Sequence, residues 1–87
     1  MKIRVRFSPT IAHAVRDRLW HPSQSVEEEG DGSVLLTFTA GGTMEIVSWV
    51  LSYGRHAEVL DPPALRSEVA RAVAGMATLY GQNPNQP

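Results

Sequence analysis

Apolar and polar residues change their spacing repeatedly along the chain, and each change marks an element. Ile3, Val5 and Phe7 alternate with Lys2, Arg4 and Arg6, the period of two that buries one face of a strand and wets the other. From Ser8-Pro9 the spacing lengthens. Ile11, Val15 and Leu19, with Ala12 and Ala14, form a helical stripe, with Ser8 as the expected cap. Trp20-His21-Pro22-Ser23 then breaks the helix near Leu19, because a residue before proline is pushed out of the helical region. Gln24 to Glu29 is a weak strand with Val26 as its strong apolar residue, and Gly30-Asp31-Gly32 is a hairpin turn. Val34 to Thr39 is a strong strand, with Val34, Leu36 and Phe38 on one face and Leu35, Thr37 and Thr39 on the other. A weak strand before a strong one places the weak one at a sheet edge.

The stretch from Gly42 to Arg66 is an αβα unit. Ile46, Val47, Val50 and Leu51 recur at helical spacing beside Trp49 and Tyr53, and Gly54 stops that helix. Ala57 to Leu60 forms a short strand. Asp61 is the expected cap of the next helix and Pro62 its first residue. That helix runs to about Tyr80 with a seam of Leu65, Val69, Ala72, Met76 and Leu79, too short for a coiled coil. The seam is therefore a candidate oligomer or interdomain interface, if its own sheet does not cover it. Gly81 stops the helix, and Gln82 to Pro87 reads as a disordered polar tail after a single domain of residues 1–81. The order βαββαβ plus a helix predicts an α+β, ferredoxin-like fold: a four-stranded antiparallel sheet with both crossover helices on one face. The other face stays open.

Composition narrows the functional classes. Eighty-seven residues make one small domain, and 43% hydrophobic with 20% charged residues is ordinary for a globular chain. No apolar run is long enough to span a membrane. There is no cysteine, so no disulfide framework and no thiolate site, and a cytoplasmic location is the simplest expectation. Charge is unevenly placed: residues 1–20 hold Lys2, Arg4, Arg6, Arg16 and Arg18 against Asp17, while residues 26–31 hold Glu27, Glu28, Glu29 and Asp31. Two surfaces that offset each other within one fold explain this most simply. The sharper reading makes Lys2, Arg4 and Arg6 a candidate anion- or effector-binding face, for a nucleotide or single-stranded nucleic acid held with steep salt dependence. Phe7 and Phe38 share the parity of the buried residues, which removes the aromatics that stack bases on such a face.

Catalytic chemistry finds little footing. His13, His21 and His56 have no metal-ligand spacing. Glu27, Glu28 and Glu29 alternate across a strand and cannot converge on one substrate. Ser8 fits a cap better than a nucleophile, and Trp49 and Tyr53 fit a core better than a cofactor box. No catalytic residue, metal or cofactor is expected, and the chain reads as a non-enzyme.

Trp20-His21-Pro22-Ser23-Gln24, Asp31-Gly32-Ser33, Trp49-Val50-Leu51-Ser52-Tyr53-Gly54 and Val59-Leu60-Asp61-Pro62-Pro63-Ala64-Leu65-Arg66 together resemble the WCX domain, the C-terminal extension of bacterial WYL-domain transcriptional regulators. The resemblance covers Ile3 to about Tyr80. It implies a ferredoxin-like module for effector sensing and dimer control, following a winged helix-turn-helix and a WYL domain that this sequence does not include. DNA would then be contacted through the absent domain, and a homodimer or those missing domains would be the partners. The residues that bind ligand in WYL domains have no counterpart here.

Overall fold

A computed structural model describes residues 1–18, 20–42 and 44–81. The elements are β1 (Lys2–Phe7), α1 (Ala12–Arg16), β2 (Ser25–Glu28), β3 (Val34–Thr39), α2 (Met44–Leu51), a single 3₁₀ turn (Gly54–His56), β4 (Ala57–Asp61) and α3 (Pro63–Leu79). The sheet order is β2-β3-β1-β4 with every neighbouring pair antiparallel. This is the ferredoxin-like arrangement expected from the order of elements, with β1 and β3 central and β2 at an edge.

Period two decides which side is core. Ile3, Val5 and Phe7 of β1, Val34, Leu36 and Phe38 of β3 and Val59 of β4 are buried on one face. Ala12 and Val15 of α1, Val50 of α2 and Leu65 of α3 close over them. An aromatic cluster fills the space beneath α2: Trp49 lies edge-on to Phe7, Trp20, Phe38 and Tyr53 at centroid distances of 5.8, 5.4, 5.7 and 5.7 Å. Such pairings add to the area that these large rings bury. Trp49 and Tyr53 are core residues, and Trp20 plugs this cluster from the loop after α1.

The punctuation signals succeed where glycine is needed. Gly54 ends α2 at φ 57° and Gly32 turns the β2–β3 hairpin at φ 92°, both in the region where a side chain is strained. Capping is where the structure corrects the expectations. α1 is shorter than its stripe: it begins after Ile11, and Ser8 makes no side-chain cap. Beyond Arg16 the chain is held by Gln24, whose Nε2 donates to the Arg18 carbonyl while its Oε1 accepts from the amides of Trp20 and His21. The predicted stop at Leu19 lies outside the described residues. Asp61 does not cap α3 either. It is the last residue of β4, opposite Arg4, and its carboxylate is spent on that arginine. Pro62 stands at the cap position in extended conformation after a cis bond, and Pro63 opens the helix. The tail of residues 82–87 also lies outside the described residues.

Candidate functional site

The open face of the sheet carries the cations that alternation placed there. Lys2, Arg4 and Arg6 stand opposite Thr39, Thr37 and Leu35. Two of these three are already engaged. Arg4 Nη1 meets Asp61 Oδ2 at 3.0 Å. Arg6 grips Glu29 with Nε at 2.7 Å and Nη2 at 3.3 Å, and its Nη1 lies 3.8 Å from Glu58. Glu58 in turn meets Arg66 Nη1 at 2.9 Å. Lys2 is exposed and has no ion-pair partner among the described residues. The face is thus a chain of guanidinium–carboxylate contacts, not a bare basic stripe. On the helix side Arg16 takes Glu28 at 2.9 Å, so the basic first strand and helix and the acidic hairpin offset each other within the fold.

The β2–β3 hairpin tightens this arrangement. Ser33 is buried, and its hydroxyl and amide both bond to Asp31 Oδ1. These hydrogen bonds hold the Asp31 carboxyl below its usual range. The hydrogen bond from Arg6, followed by its charge, holds Glu29 below the usual range as well, and Glu29 raises Arg6 above its own. The charged forms are favoured by their partners. The charged groups Arg6, Glu29 and Asp31 are at least partly open to solvent, where screening keeps each ion pair's contribution small.

A cleft of about 220 Å³ lies where β1 ends, lined by Arg6, Ser8, Asp31, Arg55, His56 and Glu58 among others. Ser8 Oγ sits 2.8 Å from His56 Nδ1. The Ser8 amide is spent on the His56 carbonyl at 2.9 Å. The two contacts work as a latch between the end of β1 and the turn that feeds β4. Sequence reading missed this latch, because Ser8 and His56 lie far apart along the chain and meet only through strand pairing. Among the described residues, no group of three or more His, Asp and Glu side chains is placed to hold a metal ion, and no helix is long and apolar enough to cross a membrane.

The seam of α3 divides along its length. Leu65 is in the core at 0% exposure, Val69 and Ala72 are half-buried, and Met76 and Leu79 are exposed, Leu79 at 83%. Val73 and Tyr80 add to the exposed apolar surface. Beside them runs a groove of about 480 Å³, walled by Leu51, Val73, Met76, Ala77 and Tyr80, with Arg55 on its rim. Leu65 is unavailable to a partner; the accessible part of the seam is its C-terminal end.

The motifs singled out in the sequence prove to be structural devices. In Trp20 to Gln24, Gln24 clamps the loop and Ser23 Oγ accepts from the Thr39 amide at 2.9 Å, tying the loop to the end of β3. Asp31 to Ser33 is the hairpin turn. Trp49 to Gly54 supplies the aromatic cluster and its stop. Asp61 to Arg66 anchors Arg4 and, through Arg66 Nη1, the Val59 carbonyl at 2.7 Å.

Fold and surface together define a small α+β module whose sheet is helix-covered on one face and ion-paired on the other, with an apolar helix end left over. A family model for the WCX domain matches residues 1–77, and the chain belongs to that family. A comparison with curated proteins gives no match.

Proposed function

We propose that the chain is the C-terminal effector-sensing and dimerisation module of a bacterial WYL-family transcriptional regulator, non-catalytic in itself and dependent on other domains for DNA contact. WCX membership across nearly the whole chain carries this reading. The exposed end of α3 supports the assembly part of it. Apolar side chains clustered beside a groove resemble an interface more than an ordinary surface, and regulators that read two-fold sites require a two-fold of their own. Effector binding is assigned to the open face, where an anionic effector, a nucleotide or a single-stranded nucleic acid, would meet Lys2 directly. It would have to displace Asp61 and Glu29 to reach Arg4 and Arg6.

Light scattering across a concentration series tests the assembly part. A dimer in the micromolar range that Met76→Glu or Leu79→Glu converts to monomer is the expected result. A dimer that both variants leave intact moves the interface away from α3, and a monomer at millimolar concentration sinks the assignment of dimerisation to this chain. Leu65 is unsuitable for this test, since a charge there would unfold the core.

A further inference from the structure

Among the described residues β4 closes one side of the sheet, and half of its backbone has no strand to pair with. The Ser8 amide bonds to the His56 carbonyl while the His56 amide turns to the Tyr53 carbonyl, so Ser8 and His56 continue the β1–β4 register just past its last pair, in the hydrogen-bonded phase, through that single bond. Such pairs alternate with pairs whose N–H and C=O turn away from each other. With Phe7 opposite Ala57 and Val5 opposite Val59, the backbone groups of Ala57 and Val59 therefore point out of the sheet. The Arg66 contact agrees with this geometry, since its guanidinium reaches the Val59 carbonyl from outside. Arg66 supplies the donor that the N–H of a neighbouring strand would supply. Alongside lies a groove of about 340 Å³ between β4 and α3, walled by Val59, Val69, Ala70, Val73 and Ala74.

We propose that this edge receives an extended segment of another polypeptide by strand addition, with apolar side chains on either side of a basic one. An extended polypeptide is the ligand whose donors and acceptors repeat at the spacing of Ala57 and Val59. Its alternate side chains point to one face, so two apolar residues flanking a central one enter the groove against Val69 and Val73 while the central residue stands opposite Glu58. Charge complementarity selects that residue. The incoming N–H takes the Val59 carbonyl from Arg66, and a lysine opposite Glu58 replaces the ion pair that Arg66 held there. A second copy of the chain fits less well. The symmetric register in which Ala57 and Val59 exchange bonds sets Glu58 opposite the Glu58 of the copy, and like charges directly opposite are destabilising. The site shares Val73 with the groove at the exposed end of α3 but does not require that end to pair.

The test is an amide chemical-shift and hydrogen-exchange titration of the full chain with a blocked Thr-Val-Lys-Val-Thr peptide. Slowed exchange at Ala57 and Val59, lost when the peptide amide facing Val59 is N-methylated, is the expected result. Replacing the central lysine by glutamate should weaken binding about three- to tenfold, the scale of a cross-strand charge reversal. Arg66→Ala removes the competing donor and should tighten binding of the lysine peptide several-fold. No shift at Ala57 and Val59 at millimolar peptide, or binding indifferent to N-methylation, overturns the proposal and leaves Arg66 as a guard that blunts the edge. Arg66→Ala forming a dimer by light scattering while ignoring the peptide overturns it too, with a second copy as the occupant.

Discussion

The two ends of α3 share one apolar period and meet opposite fates. Leu65 and Val69, near its start, pack against the sheet's covered face; Met76 and Leu79, on the same seam, face solvent. Composition does not separate them. What does is the footprint of the sheet: α3 starts at the end of β4 and runs past the point where sheet and α2 can cover it. A periodic stripe announces that a helix has an apolar face, but whether the chain's own fold covers that face depends on how far the neighbouring layer extends. The exposed end is the surface that the proposed dimer contact would use.

The contrast can be broken by mutation. Leu65→Ala opens a cavity in the core and should cost about 2–5 kcal/mol, read as a lower urea midpoint; a loss below about 1 kcal/mol would mean that the buried end is no core. Gly54→Ala places a side chain in the left-handed region where α2 ends beside the groove, and should cost about 1–2 kcal/mol by the same measurement. No neighbouring atom obstructs the added carbon, so the loss reports backbone strain alone. Arg4→Ala, which breaks the ion pair with Asp61 on the open face, should cost less than about 1 kcal/mol. Leu79→Ala should leave the midpoint of the monomer within about 0.5 kcal/mol of the parent, and a larger loss would show that the far end is covered after all.

Acid sharpens the same contrast on the open face. Glu29 and Asp31 are held below their usual ranges in the fold by Arg6 and Ser33. Their contribution is complete above the ordinary carboxylate pKa of about 4 and is lost as pH falls through the lowered native values. The urea midpoint should therefore fall as pH drops below about 4 and through the lowered native values, and Glu29→Gln should flatten that limb. An unchanged slope in Glu29→Gln would remove Glu29 from the acid response.

Local signals made the strands, the hairpin and the fold class legible before the structure. Alternation in β1 and β3 put Ile3, Val5, Phe7, Val34, Leu36 and Phe38 inside, and Gly32 and Gly54 stand where a left-handed residue was needed. The caps were misread, because Ser8 and Asp61 have the chemistry of caps and the sequence cannot show a better partner at a distance. His56 and Arg4 are those partners, brought to them by strand pairing. The candidate surfaces divided in the same way. Lys2, Arg4 and Arg6 were correctly placed on one face, but that Arg4 and Arg6 are neutralised there depends on Asp61, Glu29 and Glu58 arriving from other elements.

The sequence by itself determined which residues are periodic, where the chain turns and which side of each strand seeks the core, since these follow from spacing and from local backbone preference. Only the tertiary structure decided which charges are paired, which half of α3 is left bare and which backbone groups of β4 stay open. Those outcomes depend on distances between residues far apart in the chain, which no local pattern encodes.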